Sequence, residues 1–407
     1  MRIAMFRPGL DSASLGARVH QDFEAIVEAL GHRFRILTTE RAGSPAGQRA
    51  MGQVLPLSAG WRRADELAAP WLKTRAVLSP AASLARHLKV AGREIDLLHV
   101  EMAYPFGVAA TLAAAAAGWK GPIVITPMGE DTLVLEECRY GFRRHAVPRA
   151  LVGWALRRVA GLRCISPLHE REIARLAPNT PRRVIPLNVS DAVVEAADES
   201  PESRAARRRA ARRAVDAELG WSGRPLVLSL GRLHPFKGID RLIGALRRMP
   251  DAKLLVAGPS LKLRVTGDEA SRLAQLVQDW KLDDRIRFLG PVTPDRAMQL
   301  MAAADVVAVP SLLESLNKVC VEAAAVGTPF VVTETTGISA WARDAGLGVV
   351  IPPNDEDALA RAVLTAIERP DAADPERLRT FVRQFSPQAV AAAVIDFYLE
   401  VAGQRTT

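Results

Sequence analysis

The sequence predicts an α/β protein built from two doubly wound parallel sheets, and three observations support this prediction. The chain has 407 residues, which is too long for one ordinary hydrophobic core and suits two domains of about 200 residues each. Short apolar runs, typical of buried strands, alternate with helical segments along much of the chain. Hydrophobic residues make up 49% of the sequence and charged residues 24%, which is the composition of a globular protein.

The second half of the chain shows this alternation most clearly. Its predicted strands are short and apolar: Leu226–Leu230, Lys253–Ala257, Ile286–Leu289, Ala303–Val309, Phe330–Val332 and Val349–Ile351. Helices are predicted between and after them, over Ile239–Arg248, Glu269–Trp280, Pro294–Ala304, Ser315–Val326 and Glu356–Glu368. An alternation of this kind implies a parallel sheet that helices cover on both faces.

The first half repeats the pattern less cleanly. Its predicted strands are Ile3–Phe6, Phe34–Leu37, Leu97–Val100, Ile123–Thr126 and Val184–Ile185, with helices over Ala17–Leu30 and Pro105–Ala117. We therefore expect an N-terminal domain over residues 1–195, a polar linker over 196–223 and a C-terminal domain over 224–386. A final helix is predicted over about 387–402.

The linker contains a block of arginine and alanine from Arg204 to Arg213. Both residue types favour helix, so the block is predicted to be helical. Its arginines spread around much of the helix surface. They indicate either a solvated face or a contact with an anionic lipid or acceptor.

The stretch from Pro310 to Pro329 is the most informative part of the chain. It follows a predicted strand and carries two glutamates, Glu314 and Glu322, eight positions apart. Glu314 stands where the strand ends, and a continuous helix from Ser315 would place Glu322 about 12 Å further along. Ligands bind at the carboxyl ends of the strands in open α/β sheets, so Glu314 is predicted to lie at such a site. A helix that starts there would offer free N–H groups to a phosphate.

A second motif, Gly231–Asp240, also lies between a strand and a helix. Its Arg232 and Lys237 place two cations beside one crevice. A guanidinium can bind phosphate oxygens through two hydrogen bonds, and an ammonium adds a point charge. His234 lies between the two cations, and we interpret it as incidental to binding.

Together the two motifs resemble those of the retaining glycosyltransferases of family 4. The similarity lies in Glu-x7-Glu after a strand, in Ala-x-Gly-x-Pro behind it, and in Gly-Arg-Leu-x-x-x-Lys-Gly-x-Asp. The resemblance covers about residues 225–368 well and is thinner over the first half. It implies the GT-B fold, in which two Rossmann-like doubly wound domains face a central cleft and the terminal helix crosses back to the first domain.

The resemblance also implies roles for individual residues. Glu314 would face the donor sugar, Glu322 would hold the nucleotide ribose, and Arg232 and Lys237 would hold the donor diphosphate. Further donor contacts are expected from loop residues: Gly231, Gly290, Val292, Ser315, Leu316, Asn317 and Lys318. Asn317 is a departure, because the family usually has glycine at that position.

Two further sites in the first half follow from the same resemblance. Leu15–Arg18 is similar to the glycine loop that approaches the donor phosphates, with Gly16 as its glycine. Thr126–Asp131 occupies the place of the family's His-Gly-x-Asp segment. Asp131 matches and is expected at the catalytic site, where it would orient an acceptor hydroxyl. Met128 replaces the histidine that contacts the transferred sugar.

The resemblance implies a glycosyltransferase of the hexosyltransferase type that moves a sugar from a nucleotide diphosphate sugar to a hydroxyl acceptor. A glycolipid, a polysaccharide precursor and a small metabolite all remain possible acceptors. No cofactor is expected, and no metal is required, because fixed cations can neutralise the departing diphosphate. Two alternatives stay open: a GT-B sugar-nucleotide epimerase and a non-catalytic nucleotide-sugar binding protein.

The charge of the chain bears on its partners. A formal net charge of +9 favours anionic partners, but no zinc-finger spacing or RNP-like motif indicates nucleic acid. Basic and apolar residues mix over Arg143–Arg149 and Leu151–Arg158, as in an amphipathic core helix or a helix on an anionic membrane. The N-terminus begins like a strand, and no uncharged apolar run reaches the ~20 residues of a membrane span. We therefore expect a cytoplasmic enzyme, with peripheral binding to the inner face of the membrane as the sharper alternative.

Overall fold

A computed structural model describes residues 1–7, 27, 30–38, 53–54, 77–260, 262–263, 267–369 and 374–403. The chain forms two compact units, one of Met1–Asn188 with Pro387–Thr407 and the other of Val189–Ser386. This division differs from the prediction, which placed the first boundary at residue 195 and a linker over 196–223. The predicted linker belongs to the C-terminal unit and is mostly helical.

The N-terminal unit contains a seven-stranded parallel sheet of order β3-β2-β1-β4-β5-β6-β7. Its strands are β1 (Arg2–Arg7), β2 (Arg33–Thr38), β3 (Gln53–Val54), β4 (Leu97–Glu101), β5 (Ile123–Thr126), β6 (Gly161–Cys164) and β7 (Arg182–Val184). The sequence did not predict β3 or β6. Strand β6 carries a charged residue, Arg163, which is buried and donates to the carbonyls of Ile185 and Pro186.

The C-terminal unit contains a six-stranded parallel sheet of order β12-β9-β8-β13-β14-β15. The strands of this unit are β8 (Leu226–Leu230), β9 (Lys253–Ala257), β10 (Lys262–Leu263), β11 (Gly267–Asp268), β12 (Ile286–Gly290), β13 (Val306–Val309), β14 (Phe330–Thr333) and β15 (Val349–Ile351). Strands β10 and β11 form a separate antiparallel pair. The strand order reverses between β8 and β13, which is the position where doubly wound sheets bind ligands.

Helices connect the strands and cover both sheets. Those in the N-terminal unit before the first boundary are α1 (Leu78–Ala91), α2 (Val108–Ala117), α3 (Ala146–Leu156) and α4 (Pro167–Leu176). Those in the C-terminal unit are α5 (Asp191–Asp198), α6 (Pro201–Leu219), α7 (Ile239–Leu246), α8 (Glu269–Asp279), α9 (Pro294–Ala303), α10 (Val319–Ala325), α11 (Ser339–Ala345), α12 (Glu356–Glu368) and α13 (Pro375–Arg383). The helix predicted over Ala17–Leu30 falls almost wholly outside the described residues.

The last helix, α14 (Pro387–Val401), packs on the N-terminal sheet. Its buried residues Val394 and Tyr398 belong to one apolar cluster with Ile3 on β1, Leu97 on β4 and Val124 on β5. Burial of this apolar face, rather than local propensity, explains why the chain returns to the N-terminal unit.

In the arginine-rich helix α6, some arginines face solvent, as one of the two interpretations held, and others bond within the same unit. Arg204 is buried and donates to backbone carbonyls of the preceding turn. Arg208 donates to the carbonyl of Ala304 at 3.0 Å, and Arg212 pairs with Asp305 at 2.7 Å. These side chains therefore attach α6 to the rest of its unit.

Candidate functional site

Both sequence motifs occupy loops at the point where the C-terminal sheet reverses its strand order. The loop Gly231–Gly238 follows β8, and the loop over residues 310–318 follows β13. The chain leaves such neighbouring strands in opposite directions, which opens a crevice at their carboxyl ends. The two motifs therefore share one crevice within a single unit.

The two loops are held together by a close backbone approach. Gly238 has a φ of 66°, and a Cβ there would lie 2.2 Å from the carbonyl oxygen of Pro310. Next to this contact, the N–H of Leu312 donates to the carbonyl of Phe236 at 2.7 Å. Only glycine combines that φ with that approach, so Gly238 is required for the loops to meet.

An ion pair between Lys237 and Glu314 forms the centre of the site. The ammonium Nζ lies 2.5 Å from Glu314 Oε1. The other carboxylate oxygen, Oε2, accepts hydrogen bonds of 2.9 Å from Ser311 Oγ and from Asn317 Nδ2. Both charged side chains remain partly exposed, 14% for Lys237 and 17% for Glu314. The pair is thus fixed from the protein side and still open to a ligand.

The surroundings of Glu314 keep it ionised. Burial favours its neutral form, but the Lys237 charge and the hydrogen bonds from Lys237, Asn317 and Ser311 outweigh burial and lower the pKa. An ionised carboxylate only accepts hydrogen bonds. Glu314 is therefore suited to bind hydroxyl groups.

The backbone beyond Glu314 is not helical, which corrects the helix predicted from Ser315. It pairs instead with residues 335–338: Glu314 N donates to Thr335 O (3.1 Å), Gly337 N to Glu314 O (2.8 Å) and Ile338 N to Leu316 O (2.9 Å). Helix α10 consequently begins only at Val319, and the spacing of about 12 Å expected for an unbroken helix does not apply.

Lys318 and Glu322 are the next charged residues along the chain. Lys318 precedes α10, and its carbonyl accepts from the Glu322 N–H at 3.0 Å. Burial raises the pKa of Glu322, with Lys318 opposing, and burial lowers the pKa of Lys318, with Glu322 opposing. Both shifts favour the neutral forms, so these side chains lie in a less polar setting than Glu314.

Arg232 contributes a second cation at the mouth of the crevice. Its side chain is exposed, and it has no ion-pair partner within the described ranges. A small cavity adjoins it, with a lining that brings the two loops together: Ser229, Leu230, Gly231, Arg232, Lys237, Ile239, Ala308, Val309, Pro310, Ser311 and Asn317.

His234 has a structural role, in line with the interpretation that it is incidental to binding. Its Nδ1 accepts from the N–H of Phe236 at 3.2 Å and so caps the short turn that ends at Lys237. Burial, together with the charges of Arg232 and Lys237, lowers the pKa of His234 to about 4. The ring is therefore neutral at pH 7, which leaves Nδ1 free to accept this hydrogen bond.

Three glycines connect the outer strands to the site. A Cβ on Gly258 would lie 1.9 Å from the Gly231 carbonyl oxygen, and the Gly258 N–H donates to the Gly290 carbonyl at 2.8 Å. Gly290 ends β12, two strands away from β8, and half-buried Val292 follows it. Sequence reasoning gave Gly258 no role in the site, although the Gly-Pro pair that ends β9 was a signal for it.

The N-terminal unit buries Asp131, which was predicted to orient an acceptor hydroxyl. The carboxylate is fully buried and accepts backbone N–H groups from Ala103, Met128 (3.0 Å) and Gly129 (2.9 Å). Burial raises its pKa to about 6, although these hydrogen bonds oppose the shift. Both carboxylate oxygens are occupied by these backbone donors, so the contact with an acceptor hydroxyl stays a prediction. In the structure, Asp131 holds the loop after β5 against the loop after β4.

The remaining predicted residues lie as follows. Gly16 falls outside the described residues. Ser315 is half-buried and the Leu316 side chain is buried, so Leu316 offers backbone groups alone.

Across the described ranges, no group of three or more His, Cys, Asp or Glu side chains is arranged to hold a metal ion. None of the helices in those ranges is long and apolar enough to cross a membrane.

Two family models match the chain, one in each half. Residues 15–188 match the glycosyl transferase 4-like domain, and residues 212–385 match the glycosyl transferases group 1. The second model covers both loops of the site.

Curated relatives match part of the chain. A D-inositol 3-phosphate glycosyltransferase of Mycobacteroides abscessus is 34% identical over 188 residues, which is 46% of this chain and 42% of that protein. The enzyme of the same name from Nocardia farcinica is 38% identical over 34% of this chain and 32% of that protein. The chain thus spans less than half the length of these relatives.

Solved structures match nearly the whole chain at low identity. Sucrose-phosphate synthase from Thermosynechococcus elongatus aligns with a TM-score of 0.75 at 20% identity over 99% of both chains. HepE of Anabaena in complex with UDP aligns at 0.74 and 18% identity, over 98% of this chain and 100% of that one. WaaG, a glycosyltransferase involved in lipopolysaccharide biosynthesis, aligns at 0.65 and 18% identity, over 98% and 99%. With this fold, and with both halves matched by glycosyltransferase models, the chain belongs to the group 1, or family 4, glycosyltransferases of the GT-B fold.

Proposed function

We propose that the chain is a retaining glycosyltransferase that moves a sugar from a nucleotide diphosphate sugar to a hydroxyl acceptor. The observation that carries this proposal is the Lys237–Glu314 ion pair at the reversal point of the C-terminal sheet. One of its members binds anions and the other binds hydroxyl groups, and a nucleotide sugar has both. Family membership supports transfer over the epimerase and binding-protein alternatives.

The departing diphosphate sets the main electrostatic demand. Negative charge accumulates on it as the bond to the anomeric carbon breaks. Lys237 and the exposed Arg232 would stabilise that charge, since fixed cations do so without reorganising at the moment of reaction. Glu314 would hold hydroxyl groups of the sugar, and Glu322 the ribose.

The proposed reaction is a single transfer of the sugar from the diphosphate to the acceptor. The bond from the anomeric carbon to the diphosphate oxygen breaks, and the acceptor oxygen forms its bond on the same face of the sugar. The acceptor proton passes to a phosphate oxygen of the leaving nucleoside diphosphate. No side chain is needed as a covalent nucleophile, and no cofactor takes part.

We propose that the cations replace a metal ion in stabilising the diphosphate. Removal of divalent ions with EDTA should then leave transfer within about twofold of its initial rate. Loss of transfer that Mg²⁺ or Mn²⁺ restores would contradict this part of the proposal.

Similar proteins indicate which donors and acceptors should be tested first. HepE, which shares the fold, has been solved with UDP and with UDP-glucose, so uridine nucleotides are the first donors to test. The named relatives act on D-inositol 3-phosphate, which makes phosphorylated cyclitols one acceptor class beside glycolipids and polysaccharide precursors.

A thermal-shift panel tests the proposal. Wild-type protein is heated with UDP-glucose, UDP-N-acetylglucosamine, GDP-mannose and ADP-glucose, and the Lys253→Ala and Lys237→Ala variants are heated beside it. A ligand at 100 times its Kd should stabilise the native state by about 2.7 kcal/mol. At least one donor should stabilise wild type and Lys253→Ala but not Lys237→Ala. The absence of any shift with wild type would contradict donor binding.

We also propose peripheral binding to anionic membranes through the exposed arginines around α3. Helix α3 buries Val152 and Leu156, while Arg149, Arg157 and Arg158 remain exposed. Each Arg near an anionic surface contributes about 1 kcal/mol. Pelleting with anionic vesicles should exceed pelleting with neutral vesicles, and equal pelleting would contradict the proposal.

A further inference from the structure

Asn317 stands at a backbone position that favours glycine. Its φ is 84°, inside the left-handed region, which asparagine tolerates better than other residues with a side chain. It therefore adds a side chain where the backbone requires none. That side chain is only 7% exposed and points into the site.

The orientation of the Asn317 amide is fixed by Glu314. Nδ2 donates to Glu314 Oε2 at 2.9 Å, while Oε1 of the same carboxylate faces Lys237. An ionised carboxylate only accepts hydrogen bonds, so the nitrogen must face Glu314 and the oxygen must face away. The hydrogen bond from Nδ2 to Glu314 therefore sets the direction in which Asn317 Oδ1 points.

The amide oxygen of Asn317 has no hydrogen-bond partner in the described part of the chain. Asn317 Oδ1 is buried and makes no hydrogen bond to any described residue. Asn317 lines the small cavity at the carboxyl ends of β8 and β13, together with Gly231, Lys237 and Ser311. Buried acceptors are almost always satisfied, and a ligand in the adjoining crevice can bring the donor that Oδ1 lacks.

We propose that Asn317 Oδ1 accepts a hydrogen bond from a hydroxyl group of the sugar being transferred, while Nδ2 holds Glu314 against the same sugar. The proposal rests on the proposed function and makes Asn317 a residue that determines donor specificity. Glu314 and Asn317 then present two acceptors side by side, so the site selects sugars that offer two hydroxyl donors. The Lys237 ammonium can only donate hydrogen bonds, and it binds the diphosphate.

The test separates the sugar from the nucleotide. Calorimetry measures the affinity of wild type and Asn317→Gly for UDP-glucose and UDP, and for GDP-mannose and GDP. Glycine accepts the positive φ, so the loop should keep its course. Asn317→Gly should weaken the nucleotide sugar about tenfold or more and leave the free nucleoside diphosphate within about twofold, because only the sugar contacts Asn317.

Asn354→Gly is the matched control. Asn354 also has a positive φ, 58°, but it is exposed and bonds to Arg241 at 3.1 Å. Its replacement should leave both affinities unchanged. Equal weakening of sugar and free nucleotide by Asn317→Gly, or weakening of neither, would overturn the proposal. Failure of wild type to bind any donor of the thermal-shift panel would instead overturn the proposed function.

Donor analogues give a readout that a purely structural role would not change. Fluorine accepts but does not donate, so deoxyfluoro derivatives of the bound sugar remove one hydroxyl donor at a time. Wild type should discriminate against at least one derivative by about tenfold or more, and Asn317→Gly should lose most of that discrimination. Unchanged discrimination in the variant would show that a water molecule, not the sugar, satisfies Oδ1.

Discussion

Asp131 in the N-terminal unit and Glu314 in the C-terminal unit are both carboxylates in loops that follow parallel strands. Asp131 is fully buried and accepts only backbone N–H groups. Glu314 is partly exposed and is held by three side chains, of which Lys237 carries the charge. Burial raises the pKa of Asp131 to about 6, whereas the Lys237 charge and hydrogen bonds outweigh burial and lower the pKa of Glu314.

The difference shows how two carboxylates in loops after parallel strands come to serve different ends. Backbone donors cannot leave without unfolding a loop, so Asp131 is committed to structure. Side-chain donors can turn towards a ligand, so Glu314 and Lys237 can exchange their mutual contact for contacts with substrate. Substitutions at the two positions should therefore affect different properties.

Glu314→Gln should have the largest effect and should appear in catalysis. Transfer should fall by about 10²–10³-fold, the usual loss when one group that stabilises the transition state is removed. The melting temperature should change little, because glutamine keeps the size and part of the hydrogen bonding. Glu218→Gln, on an exposed partner of Arg296, is the control, and near-normal transfer by Glu314→Gln would remove Glu314 from the site.

Asp131→Asn should instead appear in stability. Asparagine has one acceptor oxygen for three backbone donors, so at least one N–H loses its partner at a cost of about 1–3 kcal/mol. Thermal unfolding should detect the loss, while affinity for a nucleoside diphosphate stays unchanged. Asp396→Asn, on an exposed partner of Arg183, should have little effect. A stable variant with abolished transfer would make Asp131 catalytic after all.

The same variant should change the pH dependence of stability. The pKa of Asp131 is raised from 3.8 to about 6 in the folded state, so the unfolded chain loses this proton at lower pH than the folded protein. The stability advantage of wild type over Asp131→Asn is therefore full below about pH 4 and shrinks as pH rises to about 6. A difference that stays constant between pH 4 and pH 7 would contradict the assigned pKa shift.

Glu322→Gln should have an intermediate effect, and on binding. The proposed role of Glu322 at the ribose predicts about tenfold weaker binding of a nucleoside diphosphate, the value of one hydrogen bond to a charged group. The loss should be the same with and without the sugar, unlike the loss in Asn317→Gly. Calorimetry with the nucleoside diphosphate and with the nucleotide sugar measures both losses. Weaker binding of the nucleotide sugar alone would assign Glu322 to the sugar subsite.

His234→Asn should have the smallest effect. Asparagine also caps turns through its side-chain oxygen, so the loop that carries Lys237 should keep its conformation. Transfer should stay within about threefold of wild type. The pKa of His234 is about 4, so wild-type activity should show no titration near pH 6.5 from this residue. A large loss of transfer would place the imidazole on the phosphates.

The sequence predicted those features that depend on local patterns. Strands β5, β8, β9 and β15 begin and end where their apolar runs do, and Gly231–Gly238 marks its own turn. Prediction from the sequence failed where residues far away in the chain determine the local structure. Helix α10 starts late because residues 335–338 occupy the backbone of the preceding segment, and β6 was missed because Arg163 finds buried carbonyl acceptors.

The burial of Asp131 and the ion pair of Glu314 were likewise hidden from the sequence. A motif names a carboxylate but does not say which donors will surround it. For Asp131 these donors come partly from Ala103, nearly thirty positions away, and for Glu314 the charge comes from Lys237, 77 positions away. The Glu-x7-Glu spacing therefore indicated a candidate site without giving its geometry.

The most direct test of donor binding by the C-terminal loops compares two lysines at opposite ends of one sheet. Lys237 and Lys253 are similarly exposed, 14% and 16%, and each pairs with a carboxylate. Calorimetric titration with the nucleoside diphosphate of the best-binding donor should show at least tenfold weaker binding for Lys237→Ala and wild-type binding for Lys253→Ala. Equal affinities in both variants would contradict the assignment of Lys237 to the diphosphate.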